Sequence, residues 1–160
     1  MKNNAIKFIL LAVGLIFTIG ALGSGTANAQ SVNGSIGNGT VKRGGATRGT
    51  VVLSIPGGLH VNSNRPNNEY AIPTVVSVSS REAKVSAVTY PRGASRKFSF
   101  SEKPISVYEG RATFGFNVTV PATFKGNVVR VRAVVKYQSC NDEVCFPPKT
   151  QEITLSARVQ

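Results

Sequence analysis

From Val51 to the C-terminus, apolar and polar residues take turns along the chain with a period of two. Phe114, Phe116, Val118 and Val120 alternate with Thr113, Gly115, Asn117 and Thr119. Val129, Val131, Ala133, Val135 and Tyr137 alternate with Arg130, Arg132, Val134 and Lys136, and Ile153, Leu155, Ala157 and Val159 with Thr154, Ser156 and Arg158. Successive side chains of a strand point to opposite faces, so each run predicts a strand with one buried and one wetted face. Antiparallel sheets packed on one side require such strands. Val51, Leu53 and Ile55 predict a further strand ended by Pro56-Gly57-Gly58, and Thr74–Ser79, Lys84–Thr89 and Lys97–Phe100 predict shorter ones. Tyr90-Pro91-Arg92-Gly93 reads as a turn, and Gly110 as a chain reversal. About seven short strands and no convincing amphipathic helix predict an all-β domain, an immunoglobulin-like antiparallel β-sandwich. The Cys–Trp–Cys pattern of antibody domains is absent, since the two cysteines are close together and the chain has no Trp.

The ends of the chain follow other patterns. Lys2 and Lys7 introduce an apolar run from Phe8 to Leu22, and Ala27-Asn28-Ala29 has the small-x-small form read by signal peptidase. Residues 1–29 are therefore expected to be a signal peptide cut after Ala29, which exports the rest to the periplasm or beyond. An uncleaved anchor is the alternative, because Gly14, Gly20 and Gly23 interrupt the run without abolishing it. Gln30 to Gly49 is rich in Gly, Ser, Asn and Thr, so residues 30–40 are expected to be a flexible leader and 41–160 the folded domain. Cutting 29 of the 160 residues leaves 131, enough for one core. The 19 Lys and Arg outnumber the 7 Asp and Glu. They are spread along the chain without a nucleic-acid reader motif, so the charge points instead to a basic soluble surface with peripheral attraction to anionic membranes or acidic partners.

Candidate chemistry concentrates in Tyr137-Gln138-Ser139-Cys140-Asn141-Asp142-Glu143-Val144-Cys145-Phe146-Pro147-Pro148, which holds both cysteines. In an exported chain an even pair of cysteines reads as a disulfide. A bond closing six residues contributes about 2 kcal/mol by loop entropy, little for a hairpin that a long ladder already holds. A surface pair within bonding distance can instead cycle between dithiol and disulfide. On the residues alone the structural and redox roles are even. Asp142 and Glu143 disfavour a thiolate at either cysteine, with Lys136 and Lys149 opposing them. Two thiolates without matching ligands make no zinc set, so no metal is expected. His60, the only histidine, stands in Leu59-His60-Val61-Asn62-Ser63-Asn64-Arg65-Pro66 without another ligand at metal spacing, and is expected to be a hydrogen-bonded structural residue.

These residues resemble the N-terminal periplasmic domain of the thiol:disulfide interchange protein DsbD. The resemblance runs from about Val41 to the C-terminus through Gly58 to Pro66, Tyr70-Ala71-Ile72-Pro73-Thr74, Tyr90-Pro91 and Val107-Tyr108-Glu109-Gly110. Tyr-Gln-x-Cys at 137–140 and Cys-x-Pro-Pro at 145–148 are its most specific part. The resemblance implies an immunoglobulin-like sandwich whose pair, Cys140 and Cys145, exchanges electrons with thioredoxin-like or membrane thiol:disulfide reductase proteins, with no cofactor. It also implies that Ser106 to Gly110 forms a cap loop with Tyr108 as the shielding side chain, although the family uses a Phe there. Partner contact is then expected from Val107, Glu109 and Gly110, and from Tyr137, Gln138, Phe146, Pro147 and Pro148. DsbD continues into a transmembrane and a thioredoxin-like domain that this sequence lacks, so electrons would come from a separate protein. A non-catalytic binding module with a structural Cys140–Cys145 bond is the alternative.

Overall fold

The computed structural model describes residues 30–160, all-β with no helix among them; the expected signal peptide lies outside the described residues. The strands are β1 (Ser31–Ile36), β2 (Thr40–Val41), β3 (Ala46–Ser54), β4 (His60–Asn62), β5 (Val75–Ser79) and β6 (Lys84–Val85). They continue with β7 (Ala94–Arg96), β8 (Ile105–Tyr108), β9 (Arg111–Thr119), β10 (Val128–Tyr137), β11 (Ser139–Cys140) and β12 (Lys149–Val159). One layer has the order β1-β3-β9-β6 and the other β2-β12-β10-β5. The inward residues of both, among them Val51, Leu53, Phe114, Phe116, Val129, Val131, Ala133 and Val135, form one buried core. This is the immunoglobulin-like sandwich that the alternation predicts. Pairing is antiparallel throughout except at the short β2–β12 contact, which is parallel.

A third, smaller sheet with the order β11-β4-β8-β7 prolongs the first layer at one end. Both long strands of that layer are interrupted, β3 from β4 at Pro56 to Gly58 and β8 from β9 at Glu109-Gly110. Gly110 has φ of 62° there, a left-handed conformation that favours glycine. The Ile55 N–H donates to the Gly110 carbonyl at 2.7 Å and closes the gap. The strand carrying the cysteines changes layer: β10 runs in the second sheet, and after Gln138 the chain resumes as β11 beside β4. That crossing sets Cys140 on the small sheet.

Three expectations are corrected. The Gln30–Thr40 segment is not a free leader, because β1 pairs with β3 from Ser31↔Ser54 to Ile36↔Gly49 and buries Val32 and Ile36. The ladder and two apolar anchors hold it in spite of its polar composition. A Cβ at Gly34 would overlap the Thr50 carbonyl, so its glycine reflects close strand approach. Lys97–Phe100 is not a strand either. β7 ends at Arg96, paired with Ile105, after which Phe98 turns inward and packs on Ile105 and Val107. Of Lys84–Thr89, only Lys84–Val85 forms a strand, with a single further bridge from Thr89 to Gly115.

Candidate functional site

Cys140 ends β11, and Cys145 returns beside it as an antiparallel bridge residue with the two Cα atoms 3.9 Å apart. Their sulfurs form a disulfide. The intervening loop is held by its own sequence. Asn141 Oδ1 accepts the backbone N–H groups of Glu143 (2.9 Å) and Val144 (2.7 Å), a local turn that Asn favours. The Asn141 N–H donates to the Val144 carbonyl at 3.0 Å, and that of Phe146 to the Ser139 carbonyl at 2.8 Å. Gln138 Nε2 adds a bond to the Phe146 carbonyl at 3.1 Å. The two sulfur-bearing residues differ sharply in access: Cys140 is 0% exposed, whereas Cys145 is exposed among the exposed apolar Val144 and Phe146. Pro147 and Pro148 are exposed as well.

What covers Cys140 follows from strand register, since directly paired residues share a face and successive ones alternate. Cys140 pairs with His60, and Ser139 with Val61. Val61 also pairs with Tyr108, and Asn62 with Val107. Cys140, His60 and Val107 therefore share one face, while Tyr108 lies on the other. On the cysteine face, the His60 ring stacks on Phe98 at 4.2 Å and Phe98 stacks on Phe100 at 5.2 Å. His60 and Phe98 are buried and Phe100 is exposed. The Phe98–Phe100 loop is closed by local bonds, from the Lys97 ammonium to the Glu102 carbonyl, from the Ser101 N–H to the Phe98 carbonyl at 3.2 Å and from the Ser101 hydroxyl to the Lys103 carbonyl at 2.7 Å.

The expected cap is thereby corrected. Ser106 to Tyr108 is strand, not loop, and Tyr108 faces the core with its hydroxyl donating to Asn64 Oδ1 at 2.8 Å and its ring edge-on to Phe114. Val107 is fully buried beneath Phe98, so it supports the cover without meeting a partner. Glu109, beyond the strand end, engages Arg96 at 2.7 Å, and Gly110 forms the exposed turn. Tyr137 is also buried, its hydroxyl accepting from Gln151 Nε2 at 2.7 Å, and offers a partner nothing. Gln138 is half-buried against the cysteine loop. His60 is stacked, and among the described residues no hydrogen bond ties its ring. The alternation at 105–108 hides which neighbour faces the cysteines, because Val107 and Tyr108 are both buried on opposite faces. Two phenylalanines in the polar run Lys97–Lys103 were the available signal for the cover.

A shallow groove of about 410 Å³, lined by Arg96, Lys97, Phe98, Ser99, Glu109 and Asp142, joins the aromatic cover to the cysteine loop. Burial lowers the His60 pKa from its ordinary 6.5, opposed by the negative charges of Asp142 and then Glu109. The unfolded chain then holds the His60 proton more tightly than the folded one. This contribution to stability is complete above the unfolded pKa of 6.5 and is lost as pH falls below it. A thermal unfolding midpoint that drops from pH 7 to pH 5 is expected, with the drop reduced in His60→Phe. A midpoint equally pH-dependent in both proteins over that range contradicts it. Glu152, whose pKa is lowered by its hydrogen bonds from Arg132, acts in a separate window below its usual 4.5. Among the described residues no three His, Cys, Asp or Glu side chains are grouped to hold a metal ion.

The protein-family model described as thiol:disulfide interchange protein DsbD, N-terminal, matches residues 38–157. No curated protein matches the chain in sequence. Among solved structures, the Neisseria meningitidis DsbD N-terminal domain in the reduced form is 19% identical, with a TM-score of 0.44 over 70% of this chain and 82% of that one. The N-terminal periplasmic domain of ScsB from Proteus mirabilis is 11% identical, with a TM-score of 0.51 over 81% of this chain and 46% of that one. At that identity the likeness is one of fold. The yeast GGA1 GAE domain is 10% identical, with a TM-score of 0.44 over 81% of this chain and 93% of that one.

Proposed function

The chain belongs to the family of the DsbD N-terminal domain, and from that premise we propose that it is an exported thiol:disulfide exchange protein working through Cys140 and Cys145. The observation that carries this function is the unequal exposure of the two cysteine residues within one disulfide, Cys145 exposed and Cys140 buried. Thiol–disulfide exchange requires a thiolate to reach one sulfur and a second sulfur to leave. Here an incoming partner thiolate attacks Cys145, a mixed disulfide forms, and Cys140 leaves; in reverse, Cys140 resolves the mixed disulfide. The partner is a thioredoxin-like domain or a membrane thiol:disulfide reductase, and the step needs no cofactor. Val144, Phe146, Pro147 and Pro148 give that partner an apolar landing beside Cys145, while Phe98 and His60 cover the buried Cys140 until docking moves Phe98 aside. Export through the basic, apolar N-terminal segment places the pair where disulfides persist.

The reduction potential of the pair tests this function, measured by equilibrating the purified protein in glutathione buffers of graded ratio. A potential of about −120 to −270 mV is expected, the span of proteins that cycle. A value well below about −300 mV would mark a structural bond and leave a binding module as the function.

A further inference from the structure

Exchange at Cys145 leaves a chemical problem at Cys140. When the disulfide opens, the electron pair of the broken bond stays on a sulfur that is 0% exposed and followed in sequence by Asp142 and Glu143. A thiolate is costly in such surroundings, because burial and nearby negative charge both disfavour it. The sulfur needs a proton, and solvent does not reach it while the cover is in place.

One titratable side chain is placed to supply it. His60 is the residue directly opposite Cys140 on the paired strand, on the same face. Cβ atoms of such pairs lie about 4.5–5.5 Å apart, within which an imidazole and a thiol can meet. The groups around the ring come from four elements. Phe98 of the covering loop stacks on it, Asp142 of the cysteine loop and Glu109 after β8 favour its charged form, and β11 brings Cys140 itself. The neighbouring cations are engaged elsewhere, Arg96 with Glu109 and Lys97 with the Glu102 carbonyl. Burial opposes the charged ring and the two carboxylates support it. Displacing Phe98 removes the opposing influence and keeps the supporting one, so uncovering the site favours proton uptake by His60.

We propose that His60 is the proton donor to the Cys140 sulfur as it leaves, and the acceptor of that proton in the reverse step. The proposal rests on the exchange function above. A partner thiolate bonds to Cys145 Sγ, the Cys140–Cys145 bond breaks, and its electron pair remains on Cys140 Sγ. The His60 imidazolium passes one proton to that sulfur, leaving a neutral imidazole and a neutral thiol. The imidazolium proton comes from solvent when Phe98 moves aside. Partner docking, uncovering and protonation thus become one coupled event.

The test is reduction of the disulfide in the intact purified protein by excess dithiothreitol from pH 5 to pH 9, followed by thiol labelling. Rates are divided by the dithiothreitol thiolate concentration. In the wild type the corrected rate is expected to fall about a hundredfold as pH rises through the histidine range, the low end of what a positioned acid supplies. His60→Gln and His60→Phe should both lose that fall, being slower than wild type at pH 5.5 and equal to it at pH 9. The Phe variant keeps an aromatic stack, which guards against misreading a folding defect. Phe98→Ala should move the midpoint of the fall to higher pH. Unchanged pH profiles in both His60 variants overturn the proposal. So does acceleration at every pH, matching Phe98→Ala, since His60 would then merely hold the cover. These outcomes leave the wild-type potential untouched, whereas a potential outside the exchange range overturns the exchange function itself and the proposal with it.

Discussion

Cys140→Ala is expected to give a protein that accumulates as a mixed disulfide with a thioredoxin-like partner, and Cys145→Ala one that hardly reacts. Both variants lose the same six-residue crosslink, worth about 2 kcal/mol by loop entropy, so stability does not separate them. Access does. Cys145 stands in an exposed loop beside Val144 and Phe146, while Cys140 is fully buried in the small sheet that Phe98 and His60 cover. Because reactivity follows thiolate character and access, the remaining thiol should differ between the variants by about a hundredfold in its rate with an aromatic disulfide reagent. Adding Phe98→Ala to Cys145→Ala should recover part of the difference. Equal rates in the two single variants would show that burial does not decide which sulfur is attacked.

The largest loss of stability should come from Phe114→Ala. Phe114 is fully buried on β9, with Tyr90 and Tyr108 edge-on to it at centroid distances of 5.5 and 5.8 Å. Truncation leaves a cavity facing two rings whose hydroxyls are committed elsewhere: Tyr90 receives the Val76 N–H at 2.9 Å, and Tyr108 donates to Asn64. Those bonds hinder collapse into the hole, so a cost of about 3–5 kcal/mol is expected, a large share of a typical total of about 5–15. The denaturation midpoint should fall with little change in slope. Phe100→Ala, at an exposed ring, should cost less than about 0.5 kcal/mol. A Phe114→Ala cost below about 1 kcal/mol would mean that the core closes over the missing ring.

The strands legible in the sequence are those whose burial is one-sided. β9, β10 and β12 read directly because strict alternation records a single buried face. β1 escaped because Val32 and Ile36 stand among Ser, Asn and Gly, and its order comes from a ladder to β3 that local composition does not encode. The small sheet escaped for a related reason. β4, β7 and β11 have three, three and two residues, too short for any period to show. The cysteines themselves were legible through their motif, which is local. The cover was not, because His60, Phe98 and Cys140 meet only through pairings between distant parts of the chain.

That separation has a consequence for the life of the chain before it is folded. The two cysteines are five positions apart and can find each other by local motion, on the sub-microsecond scale of short-loop closure. The shield over Cys140 needs strands from three distant segments and exists only after they have docked. A chain that has not yet folded therefore offers both thiols to any oxidant it meets, and the finished fold then withdraws one of them. The time at which the pair is easiest to oxidise thus precedes the time at which it can choose its partners.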